Sequence, residues 1–211
     1  MVANVAATTS TTEPGSSVVG VREAQRLQTR ARVFDATVAE IGRSGLAGAD
    51  VAAIAAAAGV SRGTFYFHFP TKEHVLVELE RAEEASIVAS LENTEAGDLM
   101  SLLTLLVRQM LAAERRLGPV VFRDMLGLHF SATRPVEDEL GEHQLAGFLI
   151  AAIADAQAAG RASRHADVGE LAVIFLTGLF ALLATGGAAS RPRDALLDRY
   201  VKTIVQGIED R

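Results

Sequence analysis

An all-α chain is the fold class this sequence predicts, and three observations predict it. Alanine is abundant in a composition that is 49% hydrophobic but only 5% aromatic. Alanine loses no side-chain entropy in a helix, which makes helix the low-cost backbone here. Apolar residues recur at three- and four-residue spacing in segment after segment, the period of one helix face, and no pair of alternating segments suggests strands. Each periodic segment is also bounded by residues that start or stop helices. A length of 211 residues allows one or two small domains, and a mean hydropathy of +0.24 excludes a disordered chain.

Taken in order, residues 1–20 are rich in Ser and Thr, hold Pro14 and Gly15, and lack a basic stretch followed by an apolar one. They read as a flexible tail with no signal peptide. A first helix over residues 21–44 puts Val33, Phe34, Thr37, Val38 and Ile41 on one face, and Gly45 stops it. Asp50 caps a short helix over residues 51–57, Ala58, Gly59 and Val60 make a tight turn, and Ser61 caps a third helix to about Phe67. Phe69 and Pro70 break that helix, and Thr71 caps a fourth to about Leu91. After a loop over residues 93–97, Asp98 opens a helix to about Arg116, and Gly118-Pro119 starts another to about Phe130. Arg134-Pro135 leads into a long helix ending at Gly160. Asp167 with Glu170 three residues on forms a capping box for the next. The last helix, residues 193–209, aligns Leu197, Val201, Ile204 and Ile208. The sum is about nine helices without an internal repeat.

Residues 171–190 carry no charge and approach the ~20 residues of a membrane span. Their strongly apolar part is only 171–184, it follows a capped start, and it ends in Thr-Gly-Gly-Ala-Ala-Ser. The buried centre of a helical bundle is therefore preferred over a membrane span. The absence of cysteine excludes disulfides, thiolate zinc sites and cysteine nucleophiles, and fits a cytoplasmic location.

A net charge of −6 does not by itself point to nucleic acid, but its distribution is uneven. Residues 1–72 hold seven basic against five acidic side chains, and the remainder thirteen against twenty-one. A basic head on an acidic body suits a head that meets a polyanion. Chance gives such a split too, so it needs a motif beside it. No phosphate loop, dinucleotide glycine pattern or nucleophile elbow is present, and the chain does not read as an enzyme. Glu142-His143 does not make a HExxH motif. Asp138, Glu142 and His143 share a helix face that reads as solvated charge, so no metal site is expected.

The motif is residues 50–72, DVAAIAAAAGVSRGTFYFHFPTK. Two short helices joined by a glycine turn form a helix-turn-helix. Ile54, Ala55 and Ala58 let the helices cross closely, and Gly59 takes the positive φ that reverses the chain. The second helix starts at Ser61, and the first residues of such a helix reach base edges in the major groove.

This run resembles the DNA-binding half of the tetracycline-repressor (TetR/AcrR) family of transcriptional regulators. The matching residues are Ile54-Ala55, Ala58-Gly59-Val60-Ser61, Gly63-Thr64, Tyr66, His68-Phe69 and Lys72-Glu73, with Arg30, Ala36 and Gly45 before them. The likeness covers residues 30–79, about a quarter of the chain; the rest shares only length and helical character. Ala52 and Ala53 depart from the charged or polar residues usual there, which removes possible backbone contacts.

The DNA-binding set expected from this reading is Arg30, Ser61, Arg62, Gly63, Thr64, Phe65, Tyr66, His68 and Lys72. Arg62 grips guanine O6 and N7 with two bonds, while Thr64 and Phe65 offer a hydroxyl and an apolar contact to bases. The Tyr66 hydroxyl and the His68 ring suit phosphates. Lys72 opens the fourth helix, where free N–H groups add to its charge. Arg22, Arg26 and Arg30 add a basic arm. The competing readings are an ordinary solvated charge for Arg62, an exposed residue without a partner for His68, and core aromatics for Tyr66, Phe67 and Phe69. Core is preferred for Phe67 and Phe69.

The resemblance further implies residues 21–70 as the DNA-binding head and residues 71–211 as an effector-binding and dimerisation body. It implies a homodimer built from the last two long helices, with Gly178, Gly186 and Gly187 permitting close approach; a monomer core is the alternative. It also implies a pocket for a small lipophilic effector. Leu103, Leu106, Met110, Phe122, Met125, His129, Phe148 and Phe175 are assigned to it, although plain core packing competes for most of them. His143, Arg123, Asp124 and Gln109 are further polar groups available to it. The function implied is a repressor that binds a palindromic double-stranded DNA operator in the cytoplasm, released by its effector, with no cofactor and no membrane.

Overall fold

The computed structural model describes residues 15–94, 97–135, 143–186 and 191–209. Among them are nine α-helices and one 3-10 turn, with no strand. The helices are α1 (Gly15–Gly48), α2 (Val51–Ala58), α3 (Arg62–His68), α4 (Lys72–Glu92), α5 (Leu99–Leu117), α6 (Pro119–Gly127), α7 (Gln144–Ala158), α8 (Val168–Thr185) and α9 (Arg191–Glu209). The 3-10 turn, Leu128–Phe130, follows α6.

Local chemistry sets most boundaries. Asp50 accepts the Ala52 N–H at 3.0 Å, Ser61 the Thr64 N–H at 3.1 Å, Asp98 the Ser101 N–H at 2.7 Å and Asp167 the Glu170 N–H at 3.0 Å. Each satisfies a helix-start donor that has no partner inside the helix. Thr71 departs from this pattern. Its hydroxyl pairs with His74 Nδ1 at 3.0 Å and caps no backbone group. Gly45 (φ 72°, ψ 164°) breaks α1 close to its end. Gly59 takes φ 66°, which lets its N–H reach the Ala56 carbonyl and the Val60 N–H reach that of Ala55, closing α2. Two expected boundaries move: α1 begins at Gly15, so residues 15–20 of the predicted flexible tail are helical, and the helix predicted to follow Pro135 begins at Gln144. Residues 136–142, which include Asp138 and Glu142, lie outside the described residues, as do residues 1–14 of the expected tail and Gly187.

Two cores form. The head is built on Val33, Ile54, Ala58, Phe65, Phe69 and Val75, drawn from α1 through α4. The larger core lies in the body and takes residues from α1 and from α4 to α9. Head packing therefore runs past residue 70 to Val75. The body core begins at Ile41, inside the predicted head, so α1 and α4 each belong to both. Asp124 of α6 ties them further by accepting the Leu46 N–H at 2.6 Å.

The apolar helix α8 is the one described helix long and apolar enough to cross a membrane. Its Phe175, Leu176, Leu179, Phe180 and Leu183 are buried, whereas Val173 and Ile174 are 43% and 56% exposed. It meets α9 where Gly178 faces Tyr200. A Cβ on Gly178 would fall 2.8 Å from Tyr200 Cζ and closer still to the hydroxyl. Glycine thus leaves room for that hydroxyl to donate to the Phe175 carbonyl at 2.8 Å and for the two rings to stack at 5.7 Å. Burial pushes the Tyr200 phenol up to about 12.

Candidate nucleic-acid interface and internal cavity

The exposed surface of α3 follows from its register against the head core. Phe65 and Phe69 are four apart and share the inward face, where Phe65 is 0% and Phe69 2% exposed. The outward surface carries Arg62 and Gly63 at the first two helical positions and Tyr66 and Phe67 one turn on. This corrects two expectations. Phe65, expected at the bases, is buried instead, with its ring edge-on to Tyr66 at 5.3 Å. Phe67 was preferred as core and is 73% exposed. The available signal was the four-residue step from Phe65 to Phe69, which leaves Phe67 facing the other way.

Ser61 and Thr64 join hydroxyls at 2.9 Å while Ser61 caps the helix. Arg30 and Lys72, both expected at DNA, have internal partners. Arg30 pairs with Glu78 through both guanidinium ends and stacks on Phe69, 4.4 Å from the ring centroid. Lys72 donates to the Ala49 carbonyl at 3.0 Å, pinning the start of α4 to the α1–α2 turn. Arg26 pairs with the neighbouring Glu23 at 2.7 Å.

His68 is half-buried, and burial, reinforced by Arg26 and Arg30, holds its imidazole below the usual range. Near neutral pH it is therefore an uncharged donor or acceptor. The unfolded chain, with an imidazole pKa of about 6.5, binds the proton more tightly. The His68 contribution to stability is therefore complete above about pH 6.5 and is lost as pH falls through that value toward the lower folded one. The urea midpoint of the wild type should drop more between about pH 7.5 and 5.5 than that of His68→Gln. Equal drops would refute the assignment.

In the body, a cavity of about 180 Å³ lies among α4, the 3-10 turn, α7 and α8. Leu176, Phe180, Val173 and Ala146 supply its apolar wall, and Glu84, His129 and His143 its polar end. The polar end is tied together: His143 Nδ1 meets Glu84 Oε1 at 2.8 Å, Arg134 meets Glu80 Oε2 at 3.0 Å, and His129 pairs with Glu80. His143 is thus 5% exposed rather than part of a solvated face. Its partner Glu84 comes from α4, 59 residues away, and no sequence spacing announces it.

Of the eight residues assigned to a pocket, His129 lines this cavity. Met110, Phe122 and Met125 line a smaller void beneath it that shares Glu84 and Phe180. Leu103, Leu106 and Phe175 are 0% exposed body core, and Phe148 packs half-buried against that core. Of the other polar groups, Asp124 holds Leu46, Gln109 donates to Ser90 at 2.9 Å, and Arg123 is exposed outside the cavity.

A helix-turn-helix head continuous with a helical body is an architecture that DNA-binding regulators use. Residues 33–79 match the family described as bacterial regulatory proteins, tetR family, and over this head the chain is similar to the DNA-binding half of that family. No curated protein matches it. Among solved structures, it resembles Thermus thermophilus FadR, a TetR-family repressor in complex with lauroyl-CoA, at 20% identity and a TM-score of 0.70, over 86% of this chain and 96% of that one. The fatty acid degradation regulator FadR of Bacillus halodurans is 24% identical with a TM-score of 0.60, over 84% and 98%. RolR in complex with resorcinol is 16% identical with a TM-score of 0.61, over 88% and 90%. At these identities the likeness carries the fold alone.

Proposed function

We propose that the chain is a cytoplasmic, ligand-released repressor that binds a palindromic operator as a homodimer. The observation that carries this reading is the outward surface of α3. Arg62 and Gly63 are exposed at its first positions and Tyr66 one turn on, the part of a recognition helix that enters the major groove. Arg62 reads a guanine edge, Gly63 lets the backbone approach, and Tyr66 holds a phosphate. Ser61, Thr64 and His68 supply further hydrogen bonds, and Phe67 takes the apolar contact first given to Phe65. Lys72 and Arg30 act by positioning. The α4 start also has no side-chain cap bond, which leaves N–H groups for a phosphate.

Two half-sites need two heads, and the exposed Val173 and Ile174 of α8 with Leu196 of α9 give an apolar face for a second copy to cover. Such burial also accounts for the apolar length of α8 without a membrane. The effector occupies the cavity. Its 180 Å³ is close to the ~150 Å³ of an engineered cavity that holds benzene, so the fit is to a small lipophilic molecule of one or two rings. The same helix, α4, carries Lys72 and Glu78 at the head and Glu84 at the cavity. An effector that favours a different α4 position shifts the population away from the DNA-binding spacing. A ligand-bound structure with lost DNA affinity but unchanged head spacing would refute that route.

The test is selection from random duplexes, followed by gel shift at several salt concentrations. A palindromic site is expected, with affinity falling steeply as salt rises. Arg62→Ala with Tyr66→Phe should weaken specific binding by at least roughly 1–3 kcal/mol. A selection that yields no palindromic site would overturn the proposal.

A further inference from the structure

The polar end of the cavity holds more ionisable chemistry than a helix interior needs. Glu80 and Glu84 stand one turn apart on α4, with side chains 3% and 7% exposed. His129 and His143 face them from the 3-10 turn and the start of α7. One oxygen of Glu80, one of Glu84 and one nitrogen of His143 all lie within 4.8 Å of one another. His129 Nε2 pairs with Glu80 Oε1, and both atoms are screened from solvent. Two buried carboxylates are costly unless their charge is offset. Arg134 sits at the edge of the group, with Nη2 3.0 Å from Glu80 Oε2 and 3.3 Å from His143 Nε2.

We propose that Glu80, Glu84, His129 and His143 form a binding site for a divalent transition-metal cation. Two imidazole nitrogens with two carboxylate oxygens suit zinc, iron, manganese or nickel, and imidazole disfavours magnesium and calcium. Facing helices of a bundle build such sites from glutamates and histidines. Two ligand atoms each about 2.1 Å from one ion lie at most about 4.2 Å apart. In a tetrahedral site such atoms lie about 3.4 Å apart, so the widest separation among the Glu80, Glu84 and His143 atoms must close by on the order of 1.4 Å, within the reach of side-chain rotation. The ion supplies positive charge between the two buried carboxylates and gives Glu80 Oε1 and His129 Nε2 a common partner. Glu84, His129 and His143 also line the cavity, so one side of the ion faces it. The site requires neither DNA binding nor an organic effector.

The test is titration of the chelator-treated full-length protein with Zn²⁺ by calorimetry, with Co²⁺ as a spectroscopic probe. The expected result is one equivalent per chain and visible Co²⁺ bands of a nitrogen–oxygen ligand field. The Glu84→Gln/His143→Gln double variant should bind at least about tenfold more weakly. His165→Gln, on an exposed histidine outside the cluster, should match the wild type. Far-UV circular dichroism of the metal-free variants separates lost ligands from lost fold, and His129→Gln replaces the double variant if that variant unfolds. Absence of saturable binding overturns the proposal. So does binding that is equal in the wild type and in a folded cluster variant.

Discussion

Phe65→Ala should unfold the head and abolish DNA binding, although Phe65 touches no DNA. The side chain is fully buried at the centre of the small core that α1, α2, α3 and α4 share. Removing a buried phenyl ring costs about 3–5 kcal/mol. A core this small has little stability in reserve. Phe67→Ala should change stability by no more than about 0.5 kcal/mol, because the ring lies on the outside of α3. It should still weaken DNA binding by removing an apolar contact. Urea unfolding of both variants beside gel shifts separates the two effects. Equal destabilisation by the two substitutions would show that α3 is turned differently against the head.

Arg193→Ala should destabilise the body by about 3–5 kcal/mol, the penalty for removing one partner of a buried ion pair. Arg193 of α9 donates two bonds to Glu114 of α5, at 2.9 and 3.0 Å, with side chains only 5% and 13% exposed. Loss of the guanidinium leaves the carboxylate buried without its counter-charge. The double variant Arg193→Met/Glu114→Leu removes both charges and keeps the packing volume, so it should recover most of that loss. Urea midpoints of Arg193→Met, Glu114→Leu and the double variant close the cycle. A single-variant cost below about 1 kcal/mol would mean that solvent screens the pair as it does at a surface.

The helices were legible where their cause is local. Asp50, Ser61, Asp98 and Asp167 cap within three residues of themselves, and Gly59 reverses the chain through its own φ. Thr71 was the exception, because a hydroxyl with two partners in reach chose the His74 ring. The last helix was legible as a stripe. Leu197, Val201 and Ile208 are buried and Ile204 half-buried, although the periodicity overlooked Val205, which is also buried.

The candidate site was legible in part. Residues 50–72 announce a helix-turn-helix and place Arg62 and Tyr66 outward. Knowing that Phe65 rather than Phe67 is buried needs the position of α1 and α2 against α3. The cavity was less legible, because Leu103, Leu106 and Phe175 are as apolar as any lining residue.

By itself the sequence determined that the chain is helical, where most helices begin and end, and that the second helix of a helix-turn-helix is capped by Ser61. Those features are written in neighbours a few residues apart, whose hydrogen bonds form within one turn. Only the tertiary structure decided that Arg30 is held by Glu78 across 48 residues, and that His143 reaches Glu84 across 59 to form the polar end of a cavity. No periodicity records such pairs, because they depend on how whole helices cross, and packing of the two cores sets that crossing.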